Sequence, residues 1–306
     1  MRDDNRIISF DWAVKRILRD KANFGVLEGL MTVLIGEPMM IDEILESEAN
    51  QDTADSKFNR VDIKAKNAKG DIIIVEVQLT RELYYLERIL YGVSKAITEH
   101  IKLGSRYDQV KKVYSINILY FDLGRGKDYL YHGTTNFIGV HTGDTLEVNT
   151  REDDIVRMRT PASIFPEYYL IRVNQFNEVA KTPIEEWMDY LKNEHIREDT
   201  TVPGLQEARE KLAYLRMTPE ERAVYDHHVE NMMYQNEALG TARTEGWDEG
   251  RKEGMKEGME KGMKEGLEKG AVDKAQSIAR NLKSSGMSLT DIAKFTGLTV
   301  EDVNSL

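Results

Sequence analysis

The 306-residue chain contains no cysteine, which excludes disulfides, thiolate zinc sites and a cysteine nucleophile. No apolar run approaches the roughly 20 residues that span a bilayer, and Met1-Arg2-Asp3-Asp4 does not read as a secretory leader. A glycine-rich phosphate loop after a strand is missing, as is any Ser-His-Asp order. The six histidines stand at no ligand-like spacing with Asp or Glu and read as surface or capping residues. What is present, 41% hydrophobic and 31% charged residues, describes a globular cytoplasmic protein of about two domains with a long charged helix and no membrane segment.

The formal net charge of −11 is the wrong sign for phosphate binding, yet it is unevenly spread. Between Lys57 and Lys112, twelve basic residues stand against seven acidic ones, a local net charge of +5. Such a patch permits phosphate contacts within an acidic whole.

Inside that stretch, Ile72-Ile73-Ile74-Val75-Glu76-Val77-Gln78-Leu79 is an apolar run with a carboxylate at its middle. It follows the β-rich run Phe58 to Lys66 across Asn67-Ala68-Lys69-Gly70, and the pair reads as an antiparallel hairpin. A loop centred on Lys69 sets Asp62 directly opposite Glu76. Alternation then puts Asp62, Lys64, Ile74, Glu76 and Gln78 on one face. Facing like charges repel, by roughly 4 kcal/mol at about 4 Å and an effective dielectric near 20. Two readings offset the repulsion. Either a divalent cation sits between the carboxylates, whose oxygens suit Mg²⁺, or Lys64 and Lys66 neutralise them on a surface hairpin.

Helical periodicity covers 10–35 and 83–103, the latter with an apolar stripe of Leu83, Leu86, Ile89-Leu90, Val93, Ala96-Ile97 and Ile101. Strands are expected at 41–45, 112–121, 128–140 and 168–173. This order fits an α/β (α+β) domain, a mixed sheet with flanking helices. Capping boxes with proline at the first helical position open helices at Thr182-Pro183 and Thr218-Pro219.

An ordered set of short motifs runs along the chain. It comprises Phe10-Asp11-x-x-x-Lys15, Leu34-Ile35-Gly36-Glu37, Arg60-Val61-Asp62, Gly70-Asp71, Glu76-Val77-Gln78, Arg88-x-x-Tyr91, Leu103-Gly104 with Tyr107, Pro166 to Ile171, and Pro183-x-x-x-Trp187. Together these resemble the recombination-promoting nuclease (Rpn) family, the transposase-like PD-(D/E)XK nucleases. The resemblance implies a restriction-endonuclease-like core that hydrolyses DNA phosphodiester bonds with Mg²⁺, Mn²⁺ being a possible substitute. It puts Asp62, Glu76 and Gln78 at the catalytic positions and Asp62, Glu76 and Asp11 on the metal. Asp11 is equally readable as a helix N-cap, and Glu48 is the other upstream acid.

The wider superfamily carries lysine where this chain has Gln78. Glutamine can hold a water but cannot take a proton. An alternative is therefore a catalytically weakened or inactive DNA-binding or regulatory oligomer. Lys64 either supplies the missing charge and contacts DNA or is a solvated strand lysine. Arg88 and Tyr91 lie three apart on one helix face and are assigned to DNA; Arg88 either pairs with Glu76 or Glu87, or reaches a phosphate.

Glycine recurs at 246, 250, 254, 258, 262, 266 and 270. Each costs about 1 kcal/mol inside a helix, so the repeat needs a compensating reason. Met255, Met259, Met263 and Leu267 form a parallel ridge beside a groove that admits a second helix. The arm predicts a homodimer or higher oligomer, a flexible linker being the other reading. Ser288 to Leu306 resembles a helix-turn-helix, but Thr299 to Asn304 has two acids and no base, so it reads as a packing module. The expected domains are a nuclease-like core (1–180), a helical region (181–239), an extended α-helical C-terminal arm (240–283) and the module (284–306).

Overall fold

The computed structural model describes residues 6–45, 62–101, 106–152 and 155–306. Glu48 and the 58–61 part of the expected hairpin lie outside the described residues. Two compact units divide between Tyr225 and Asp226.

In the first unit the strands are β1 (Ile41–Leu45), β2 (Ile63–Asn67), β3 (Ile72–Gln78), β4 (Val113–Leu119), β5 (Leu130–Gly133), β6 (Val148–Glu152), β7 (Ile155–Arg159) and β8 (Glu167–Arg172). Six of them form one mixed sheet in the order β1-β2-β3-β4-β8-β5, while β6 and β7 make a separate ribbon. Pairing is antiparallel from β1 to β3, parallel from β3 through β4 to β8, and antiparallel at β5. The central strands β3 and β4 are covered on both faces, which is why they read as almost unbroken apolar runs.

The helices of this unit are α1 (Phe10–Arg16), α2 (Phe24–Ile35), α3 (Tyr85–Glu99), α4 (Pro183–Asn193) and α5 (Leu205–Lys211). The expected 10–35 helix is thus two helices. In the break, the Asp20 side chain accepts the Ala22 amide at 2.9 Å and Asn23 Nδ2 donates to Ile17 O at 3.0 Å. Short polar side chains of this kind give the backbone partners that compete with helical ones.

Helix α3 makes the crossover from β3 to β4 and lays Tyr85, Ile89, Val93 and Ala96 on Ile72, Ile74, Val113 and Leu119. Burying each larger side chain contributes about 1.5–3 kcal/mol relative to exposure. The expected stripe was broader than the contact, since Leu83, Leu86 and Leu90 stay exposed. Helix α4 opens on the expected capping box, with Thr182 N donating to Glu185 Oε2 at 2.9 Å. Its buried Trp187 and Tyr190 meet Phe10 of α1 edge to face, with centroids 6.1 and 6.0 Å apart. Where α2 meets the turn before α5, a Cβ on Gly29 would stand 2.3 Å from Pro203 O, so only glycine allows the approach. The helices after residue 181 therefore complete the first unit. That unit ends at Tyr225.

Helix α6 (Pro219–Ser284) starts with reciprocal Thr218–Glu221 bonds and carries the glycine repeat as continuous helix. A Cβ added at any of Gly246 to Gly270 would meet nothing within 4 Å, and Met255, Met259, Met263 and Leu267 are 67–76% exposed. In the second unit, α7 (Leu289–Thr296) and α8 (Val300–Ser305) fold onto the end of α6 around Ala279, Ile292 and Val303. Gly297 ends α7 at φ +71°, and Lys283 Nζ donates to Val303 O and Asn304 O at 3.2 and 2.9 Å. Among the described residues, no helix is long and apolar enough to cross a membrane.

Candidate active site

The hairpin register is the expected one. Ile63 pairs with Val75, Lys64 with Ile74, and Ala65 with Ile73, so the next rung sets Asp62 against Glu76. The turn fixes it: Gly70 adopts φ +81° and Asn67 Oδ1 accepts the Asp71 amide at 2.8 Å.

Asp62 stands just before β2. Its Oδ2 accepts the Val77 amide at 2.7 Å, and its carbonyl accepts Arg19 Nη2 and Nε at 2.5 and 3.2 Å. Glu76 is only 3% exposed. Its Oε1 accepts Gln78 Nε2 at 2.8 Å and pairs with Arg88 Nη2 at 2.6 Å, while Arg88 Nη1 holds Glu82, also at 2.6 Å. Gln78 is thus bonded to the neighbouring carboxylate.

Both carboxyls are pushed above the ordinary carboxylate range. For Asp62, burial outweighs the Val77 bond and the charges of Lys15, Arg19 and Arg88. For Glu76, burial outweighs Arg88 and Gln78, and the charge of Asp62 adds to the rise. The two acids therefore feel each other inside a ring of three cations. Beside Glu76 on β4 is the buried Asn117, whose Oδ1 accepts the Tyr85 hydroxyl at 3.2 Å. Burial, then the charge of Glu76, raise the Tyr85 phenol far above its usual range.

Lys64 is buried, and its ammonium is held by Glu99 at 2.5 Å, so it ties β2 to the last turn of α3. Burial works to raise Glu99, yet the bond and charge of Lys64 prevail and hold its carboxyl low. Asp11 is also buried, in the first turn of α1. Its charge reaches Tyr120, Tyr190 and Glu194. Among the described residues, no three His, Cys, Asp or Glu side chains converge as a metal cage. Tyr91 is half exposed, one turn beyond Arg88.

The donor set still suits a hard divalent ion. Mg²⁺ is commonly held by one or two carboxylates and keeps several waters or substrate phosphate oxygens. Asp62 and Glu76 supply that pair.

Lys15 and Arg19 are contributors that the sequence reading missed, because no local pattern tells which strand end a helix terminus will meet. Asn117 left a signal: a polar residue inside the apolar run Val113 to Leu119.

A mixed sheet with a crossover helix carries a buried and a half-buried carboxylate on one hairpin, an α+β arrangement consistent with a PD-(D/E)XK-like fold. Residues 8–152 match the family model described as PD-(D/E)XK nuclease family transposase. The chain has no significant match among curated proteins or solved structures.

Proposed function

We propose that this domain is a Mg²⁺-dependent DNA endonuclease of the recombination-promoting type, Mn²⁺ serving in place of Mg²⁺. One observation carries the reading: the carboxylate of Asp62, held by the Val77 amide at 2.7 Å, lies in the field of Lys15, Arg19 and Arg88, and the buried Glu76 pairs with Arg88 at 2.6 Å. Asp62 and Glu76 would hold the ion, which when bound lowers the pKa of a water and screens the phosphate charge. Gln78 orients polar groups beside Glu76, and the three cations attract the DNA backbone.

The bonds that Gln78 and Arg88 make to Glu76 favour a second reading, a weakened nuclease that binds DNA as a regulatory oligomer. In both readings the exposed methionine ridge and open glycine groove of α6 pair with a second copy. The cytoplasmic location is part of the proposal.

Plasmid cleavage in Mg²⁺ and in EDTA, with Asp62→Ala and Glu76→Ala as comparisons, tests the first reading. The expected result is metal-dependent cutting lost in both variants. Cutting by both at the wild-type rate rules out this site.

A further inference from the structure

Two exposed tyrosines, Tyr84 at the cap before α3 and Tyr91 within it, flank along the helix the Arg88 that grips Glu76. Tyr84 is 74% exposed and Tyr91 49% exposed. The Arg88 amide donates to Tyr84 O at 3.0 Å, which places Tyr84 one helical turn before Arg88. At 100° per residue, Tyr84 and Tyr91 lie only about 40–60° around the helix from Arg88, on the same side of it. Leu86 and Leu90 are also exposed but lie roughly 160° from Arg88, on another face. The tyrosines thus form their own feature at the rim of the carboxylate site. Seven residues separate them, a rise of about 10.5 Å or roughly three stacked-base spacings. Among the described residues, neither ring packs on another aromatic side chain.

We infer that the site takes DNA whose bases are unpaired, Tyr84 and Tyr91 serving as stacking platforms while Arg88 and the neighbouring cations follow the phosphates. This rests on the nuclease reading above and names its substrate class as single-stranded, frayed or branched DNA. In a paired duplex the base faces are covered by their neighbours and offer nothing to an exposed phenol ring. An unpaired strand presents those faces along with its backbone, so rings and cations act on the same ligand. Sequence-tolerant recognition follows, because every base has a π-face.

The test uses the full chain and one oligonucleotide carrying 2-aminopurine, single-stranded or annealed to its complement. Binding is measured in EDTA, where no cleavage intervenes. Wild type is expected to bind the single strand more tightly than the duplex and to quench the 2-aminopurine. The Tyr84→Ala/Tyr91→Ala variant should lose about tenfold or more on the single strand and no more than about twofold on the duplex. The Tyr84→Phe/Tyr91→Phe variant should keep the wild-type preference, since the ring and not the hydroxyl is used. Equal losses on both DNAs, no loss, or no single-strand preference in the wild type would each overturn the inference. Melting curves of both variants check the fold, which two exposed side chains should leave intact. Cleavage of the same DNAs in Mg²⁺ is scored separately. Stacking without cleavage sinks the nuclease reading alone, and cleavage that ignores the alanine pair sinks the stacking alone.

Discussion

Arg88 Nη2 lies 2.6 Å from Glu76 Oε1, joining α3 to the centre of the sheet through a carboxylate that is almost wholly buried. A buried charge with one strong counter-ion makes that counter-ion structural as well as functional. Arg88→Ala should cost about 2–3 kcal/mol, below the 3–5 typical of a fully buried pair because Arg88 is partly exposed. Adding Glu76→Gln should recover most of the loss, since no charge then remains to be compensated. Urea unfolding of the two single variants and the double variant gives the coupling directly. Additive effects would mean the pair contributes nothing as a pair.

The raised carboxyls of Asp62 and Glu76 set a pH dependence. Both stay protonated to higher pH in the folded chain than in the unfolded one, so the native state holds more protons in that interval. Stability of the metal-free protein is therefore lost through these groups as pH rises from about 4 through their folded values. The Asp62→Asn/Glu76→Gln variant should melt with wild type near the acid end. Toward neutral pH it should melt above it. Added Mg²⁺ should raise the melting temperature of the wild type only, because the variant offers no anionic ligand pair.

Lys15 acts on Asp62, whereas Lys64 is tied to Glu99. Lys15→Gln should slow DNA cleavage by about tenfold, less than the 10²–10³ seen for an enclosed donor because Lys15 is exposed. Lys64→Gln should instead destabilise the fold by about 1.5–3 kcal/mol, by removing a charge-assisted bond to Glu99. Its affinity for DNA should be nearly unchanged. Cleavage rates and denaturation midpoints on the two variants separate the outcomes.

The arm prediction is a change of mass. Gly254, Gly258 and Gly262 each border open space, so leucine there meets no steric conflict within the chain and raises helix propensity. Filling the groove should nevertheless dissociate the oligomer, which sedimentation of the triple variant reads as a smaller particle. A mass unchanged from wild type would remove the glycine ridge from any interface.

What the sequence disclosed follows from how local each rule is. The Asp62–Glu76 register was legible because the Asn67–Gly70 turn and strand alternation act within a few residues. The capping boxes at Thr182 and Thr218 were legible for the same reason. The burial of Lys64 was not, since alternation gives the face of a strand and says nothing of Glu99 arriving from α3. The division at 17–23 lay in Asp20 and Asn23, whose backbone bonds overrode an apolar period that continued through them. The β6–β7 ribbon was passed over, and the burial of Asp11 in the first turn of α1 was not legible either.

The bond from the Val77 amide to Asp62 Oδ2 has an experimental use. A ligand that draws on that oxygen's electrons weakens its bond to the amide, so one backbone proton becomes a gauge of occupancy. Its exchange with solvent should quicken on loading with a divalent ion even if no phosphodiester is ever cut, and one amide resonance would then report the state of the site.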